Sequence, residues 1–247
     1  MSFARELRYY AQILKEIIFP RICTVCGYHV DNGLLCEKCR KHYLLQRQLK
    51  YTPREEYLAG QAAPLPEDVL SSVLLLYKYD GVLKDALHRL KFEGAGELLP
   101  MLQEEAEAAL PNPKLRWLSQ FDIVATIPTS KERKEQRGYD VPAELFLSIL
   151  EQRDLTACAD LLQRERRTAP LFALDKQQRQ AELAGCFGIT PRYTVAGKRI
   201  LLCDDIYTTG TTMAEAARVL LAAGAASVHG LALCGAQANW GTEADHS

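Results

Sequence analysis

Arg199-Ile-Leu-Leu-Cys-Asp-Asp-Ile-Tyr-Thr-Thr-Gly-Thr-Thr-Met213 is the stretch that decides how this chain is built. An apolar run ends in two adjacent acids, Asp204 and Asp205, and a Thr/Gly-rich loop follows. Thr212-x-x-Glu215 has capping-box spacing and predicts a helix over Thr212–Ala223. A loop between strand end and helix start presents backbone N–H groups and hydroxyls at the positive end of the helix dipole. Gly210 leaves the approach open, so the loop suits an anion. No Gly-Lys-Thr/Ser follows, which excludes a Walker A loop, and the G-x-G-x-x-G dinucleotide pattern is lacking.

Two carboxylates beside a phosphate cradle need something other than phosphate to hold. A ribose cis-diol fits, because a carboxylate accepts two hydrogen bonds. A divalent cation shared with a pyrophosphate would relieve their mutual repulsion. The bland alternative is an ordinary strand end with a Thr-rich turn; acids, loop and capped helix in one run argue against it.

Outward from this stretch, apolar runs alternate with amphipathic ones. Strands are predicted at Ser71–Tyr77, Phe121–Ile127, Lys198–Cys203 and Ser227–Leu233, and helices at Gly81–Phe92, Glu97–Leu110 and Ala143–Glu151. Strand and helix in alternation give an α/β class with a mainly parallel sheet. After Ile127 comes Pro128-Thr-Ser-Lys131, and Lys131–Arg137 holds Lys131, Arg133, Lys134 and Arg137 against Glu132 and Glu135. Basic groups at the end of a buried strand suit a pyrophosphate, although most such runs are solvated loops.

Near the N-terminus, Cys23-x-x-Cys26 and Cys36-x-x-Cys39 form two pairs with nine residues between them. Two such pairs supply a tetrahedral thiolate site, with Gly27 and Gly33 placed for tight turns. Zinc is the expected metal, in a closed structural role; an iron–sulfur cluster is the alternative. From Pro20 to Lys50 there are six Lys/Arg (Arg21, Lys38, Arg40, Lys41, Arg47, Lys50) against Asp31 and Glu37, with Tyr43 and Tyr51 nearby. That surplus fits a nucleic-acid backbone or a solvated face. Residues 2–18 stripe Phe3, Leu7, Tyr10, Leu14 and Ile17 along one side of a docking helix that Pro20 ends. The expected division is 1–50 for helix and cysteine module, 51–70 for a linker with Pro53, Pro64 and Pro66, 71–236 for the α/β domain, and 237–247 for a polar tail.

With 48% apolar residues and a formal net charge of −1, the chain reads as globular, and polyanion binding would need local patches. No apolar run is long enough to span a bilayer and Met1–Tyr10 lacks a signal-peptide pattern, so the cytoplasm is the expected compartment. There, thiols or metal ligands are the expected state of the eight cysteines; Cys158, Cys186, Cys203 and Cys234 sit in apolar contexts as small core residues.

The 199–213 stretch resembles the signature of type I phosphoribosyltransferases. The resemblance implies that Asp204 and Asp205 hold a ribose diol with Mg2+, and that Thr208, Thr209, Gly210, Thr211 and Thr212 hold a 5-phosphate. The expected ligand is phosphoribosyl pyrophosphate (PRPP). Adding the cysteine module, Leu87-His-Arg-Leu-Lys-Phe92, Arg137-Gly-Tyr139, Arg164–Pro170 and Gly185-Cys-Phe187, the chain is similar to the ComF family over about residues 20–236. That resemblance implies a type I phosphoribosyltransferase-like fold behind a zinc module, and a part in natural competence and DNA uptake or use. Lys91, Thr129, Ser130, Lys131 and Arg137 become pyrophosphate candidates, and Arg164, Arg166, Arg167, Lys176 and Arg179 a basic lid. His88 reads as surface or packing.

The family's Asn-Gln after Arg-Gly-aromatic is replaced by Asp140-Val141, and its Asn before Gly-Ala-Phe is missing from Glu182-Leu-Ala-Gly-Cys-Phe187. Both positions are expected in loops that close over substrate, so the departures weigh against catalysis more than against binding. Two functions follow. One is a PRPP-binding protein that meets single-stranded DNA or a DNA-uptake helicase. The other is an active transferase acting on a base or amine. A homo-oligomer is compatible with either.

Overall fold

The computed structural model describes residues 22–30, 34–53, 69–110, 118, 120–166 and 176–236. The expected N-terminal helix, Arg21, Asp31, Gly33, the linker residues 54–68, Arg167 and the tail 237–247 lie outside the described residues. The chain divides into two compact units, Met1–Leu45 and Gln46–Ser247.

In the first unit Ile22 bridges His29 across a tight turn, and the helix α1 (Glu37–Gln46) follows the second cysteine pair's first member. The second unit opens with β1 (Arg47–Pro53), antiparallel to β2 (Ser72–Lys78). The division expected at residue 50 therefore falls inside a strand, and Pro53 closes that strand. Pro is tolerated there because β1 is an edge.

The chain continues through α2 (Gly81–Phe92), a 3-10 turn (Gly96–Leu98), α3 (Leu99–Ala109), β3 (Ile123–Thr126), α4 (Lys131–Arg137), α5 (Val141–Glu151) and β4 (Ala157–Cys158). A two-stranded antiparallel hairpin, β5 (Leu162–Arg164) with β6 (Phe187–Ile189), encloses α6 (Lys176–Leu183). Then come β7 (Arg199–Tyr207), α7 (Thr211–Ala222) and β8 (Ser227–Gly235). Each strand predicted in the apolar runs is present. Lys131–Arg137, read as a charged loop, is instead a short helix closed by Gly138 at φ 83°.

The main sheet has the order β1-β2-β8-β7-β3-β4, parallel from β2 to β4. Parallel strands between helices are buried on both faces, hence their nearly continuous apolar runs. Val73, Leu75, Ile123, Ala125, Ile200 and Leu202 share one core with Met213, Ala216, Ala217 and Leu220 of α7. The alternate residues Leu74, Leu76, Val124 and Leu201 are buried too. Each buried Leu or Ile contributes roughly 1.5–3 kcal/mol. Gly230 lets α7 sit close: a Cβ there would lie 2.4 Å from the Met213 sulfur.

From β3 the chain moves out to β4, whereas from β7 it moves the other way to β8. The strand order thus reverses between β3 and β7. In open α/β sheets the crevice beyond the strand ends at such a point receives the ligand.

Candidate functional site

At the reversal point Thr126 of β3 pairs with Cys203 of β7, and the Ile127 amide donates to the Cys203 carbonyl at 2.9 Å. The next residues on β7 are Asp204, partly buried, and Asp205, buried. Burial pushes the Asp204 carboxyl well above the usual carboxylate range, and the Asp205 charge pushes the same way against Lys91. Asp204 Oδ1 accepts the Asp205 amide at 2.8 Å. Lys91 Nζ donates to Asp205 Oδ1 at 2.7 Å, its side chain 19% exposed. Two acids with one mostly buried lysine form a site that a cation or a diol would complete.

Lys91 reaches Asp205 from the end of α2, whose apolar stripe Leu83, Ala86, Leu87 and Leu90 is buried. Arg137, at the end of α4, donates Nε–H to the Lys91 carbonyl at 2.8 Å. The Tyr139 hydroxyl donates to the Leu90 carbonyl at 3.4 Å. Of the pyrophosphate candidates, Lys91 and Arg137 are therefore joined directly. Lys131 is not drawn in: its side chain is 87% exposed and faces Glu135 at 3.9 Å, one helical turn on. Ser130 occupies the N-cap of α4 without a side-chain capping bond.

Thr129 is held by a residue that sequence reasoning assigned to a closing loop. Asp140 accepts the Thr129 amide on Oδ2 and its hydroxyl on Oδ1, both at 3.0 Å. Asp140 occupies the N-cap position of α5 without a side-chain capping bond, and Val141 is buried in its first turn. Asp140 thus holds the loop after β3. Burial raises the Asp140 carboxyl from its ordinary value, opposed by the two Thr129 bonds. An Asp eleven residues from its Thr partner carries no sequence signal for this pairing.

The expected lid is likewise anchored where it is described. Arg164 donates Nε–H to the Pro128 carbonyl at 3.0 Å and lies 5.3 Å from the Phe187 ring centroid. Burial pulls its guanidinium down from the ordinary value, with Cys186 and Asp204 opposing; an arginine so placed remains charged. Arg166 donates to the carbonyls of Glu182 and, at 3.1 Å, Ala184. The side chains of Lys176 and Arg179 lie outside the described residues.

The phosphate-loop candidates lie between β7 and α7. Gly210, at φ 74°, is the N-cap, in a left-handed conformation that favours glycine, and α7 begins at Thr211. The Thr209 and Thr211 hydroxyls are 2.8 Å apart, while Thr208 is exposed and Thr212 is partly buried. The expected capping box does not form. No side chain caps the helix, and Glu215 accepts the Gly185 amide and an Arg218 N–H, each at 2.8 Å. Glu215 is buried against the turn after α6, and that tertiary partner outcompetes the local one. The first-turn amides of α7 are thereby left clear of a capping side chain.

In the other unit the four cysteine sulfurs lie within 4.8 Å of one another. A tetrahedral zinc–thiolate site sets its sulfurs about 3.8 Å apart, and Cys26 Sγ is 3.7 Å from Cys36 Sγ. Gly27, at φ 71°, closes the first turn, its amide donating to the Cys23 carbonyl at 2.8 Å. Burial would raise the Cys23 thiol, yet amides of Cys36, Cys26 and Val25 outweigh it and bring it down to about 6. The four sulfurs are close enough together to hold a metal ion. The remaining cysteines, Cys158, Cys186, Cys203 and Cys234, are buried as expected, and burial raises each thiol.

Strand order, paired acids at the reversal point and the Thr/Gly loop at a helix start define a type I phosphoribosyltransferase-like domain. Residues 156–246 match the phosphoribosyl transferase domain family. Competence protein ComFC of Bacillus subtilis is 29% identical over 227 residues, covering 89% of this chain and 80% of its own. DNA utilization protein YhgH of Escherichia coli (strain K12) is 27% identical over 228 residues, covering 86% of this chain and 89% of its own. Competence protein ComFC of Streptococcus pneumoniae is 29% identical over 160 residues, or 62% of this chain and 63% of its own. With a four-cysteine cluster ahead of that domain, the chain is similar to these ComFC and YhgH proteins over most of its length. Among the described residues no helix is long and apolar enough to cross a membrane.

Proposed function

We propose that the α/β domain binds PRPP with Mg2+ and that the protein uses this site in competence-related DNA uptake or DNA use inside the cell. One observation carries the reading: Asp204 and Asp205 stand at the reversal point beside a helix start that has no side-chain capping bond. The acids would take the ribose diol and the cation. Thr208, Thr209, Gly210, Thr211 and Thr212 would take the 5-phosphate on hydroxyls and helix amides. Lys91, Thr129, Ser130 and Arg137 would face the pyrophosphate, with Asp140 and Arg164 positioning the loop after β3. The DNA role follows the names of the relatives and suits the cytoplasm.

Calorimetry tests the ligand. PRPP with Mg2+ should bind, and ribose 5-phosphate should bind more weakly because it lacks the pyrophosphate contacts. Tighter PRPP binding by Asp204→Ala with Asp205→Ala, which removes negative charge, would overturn the assignment of the acids. Pyrophosphate release across a panel of bases and amines separates a binding protein from an active transferase.

Zinc is the proposed occupant of Cys23, Cys26, Cys36 and Cys39, and it would stabilise their module. Elemental analysis should find about one zinc per chain. Cys36→Ala should lose the metal; a metal-free wild type with unchanged properties in Cys36→Ala contradicts the proposal. The basic surplus around this module is reduced by one pairing, Lys41 with Glu37 at 2.8 Å. The side chains of Tyr43 and Tyr51 lie outside the described residues.

A further inference from the structure

Phe92 is 53% exposed, and among the described residues it shares that condition with Ile22 and Tyr28. The core-facing stripe of α2 ends at Leu90. Residue 92 lies about 200° further round the helix, so packing does not explain a ring there. The ring nevertheless has company. The guanidinium carbons of Arg133 and Arg137 each lie 5.9 Å from its centroid, near the outer limit of about 6 Å for a cation–π contact. The His88 ring flanks it at 5.0 Å, tilted 44°.

This patch is connected to the acids already described. Arg137 is pinned to the Lys91 carbonyl, and Lys91 meets Asp205. The exposed ring is thus one residue away from the side chain that touches the diol acid.

We propose that Phe92, with Arg133 and Arg137 at its rim, is the stacking site for an unpaired base of a single nucleic-acid strand, whose phosphates meet the guanidiniums. The inference rests on the reading of the protein as one that handles DNA, and adds where the strand is held. A free acceptor base is uncharged and gains from an enclosed slot. A strand is a polyanion that lies along the surface, and α4 carries Lys131, Arg133, Lys134 and Arg137 against two acids. Every base has a π face, so an exposed ring serves any sequence.

The test uses the full-length protein, a labelled oligo-dT and PRPP–Mg2+ calorimetry. Phe92→Leu, which keeps apolar bulk without a π face, should weaken oligo-dT binding roughly fivefold or more, with PRPP affinity within twofold. Arg133→Gln should lower the salt dependence of oligo-dT binding. Phe92→Trp should retain affinity, and its fluorescence should be quenched by oligo-dT but not by free thymine or thymidine. Equal oligo-dT affinity in wild type and Phe92→Leu overturns the stacking site and leaves the DNA reading intact. Quenching by the free base but not by the strand overturns it in favour of a small acceptor. Wild type that binds no strand at low salt overturns the DNA reading together with the inference, while PRPP binding reports separately on the ribose site.

Discussion

At the edge where β3 and β7 begin, Asp122 accepts the Arg199 amide at 2.8 Å and meets its guanidinium at 3.5 Å. At the edge where the same strands end, Asp204 and Asp205 stand side by side, with Lys91 on Asp205. The beginning edge also holds His229, whose ring nitrogens lie 2.7 Å from the Ser72 hydroxyl and 3.2 Å from the Ser227 hydroxyl. Burial, with some help from Arg199, lowers His229 to about 4, so it is neutral near pH 7. One edge settles its polar groups among neighbours. The other keeps an acid out of its preferred charge state, which favours a diol or cation arriving from outside. Groups held at odds with their surroundings mark functional sites more often than structural ones.

The comparison breaks most directly at Asp204. Its raised pKa means that the folded state holds a proton at pH values where the unfolded chain has lost it. Stability is therefore lost as pH rises through that range. Asp204→Asn keeps an oxygen for the Asp205 amide and removes the charge. We expect PRPP binding to fall by at least about tenfold, the order of a lost charge-assisted contact. The melting temperature should meanwhile rise by about 2–4 °C, the shift that 1 kcal/mol gives in a chain of this size. Calorimetry and thermal unfolding on the same preparation check both signs. A variant that binds normally, or that melts lower, removes the contrast between the edges.

His229 offers the next largest effect, with the opposite pH direction. Its folded pKa lies below the usual 6.5. Above pH 6.5 its contribution is complete. As pH falls toward 4 the unfolded chain takes the proton first, and stability declines. Through this residue the protein should be about 2 kcal/mol less stable at pH 5 than at pH 7. Denaturant titrations of wild type and His229→Gln at both pH values should show the decline shrinking in the variant, with PRPP binding unaffected at pH 7.

The smallest expected change is at Asp122, whose side chain is partly exposed. Asp122→Ala should lower the melting temperature by only about a degree or two and leave ligand binding as it was. A large loss of PRPP binding in this variant would mean that the beginning edge communicates with the site.

Much of this architecture was written locally. Gly81–Phe92 has in the structure the boundaries predicted for it, because its apolar residues recur at helical spacing; the structure adds that Asp80 accepts the Gly81 amide at its start. The run from Arg199 announced strand, acids, loop and helix in order, and the two cysteine pairs announced a four-sulfur cluster. In each case the decisive partners lie within a few residues, or the spacing itself is the signal. Where local pattern met a distant competitor it failed. Glu215 left the capping box for the Gly185 amide, thirty residues away.

By itself, then, the sequence determined the class of fold, the acids and loop of the candidate site, and the four-cysteine cluster. Those depend on periodicity and on chemistry carried by contiguous residues. The tertiary structure alone decided that Lys91 would meet Asp205 across 114 positions, that Asp140 would hold Thr129, and that Arg164 would hold Pro128. It also left Phe92 outside the core between two arginines. Charged side chains choose partners by distance and burial in the folded chain, and neither quantity exists until the sheet has brought its strand ends together.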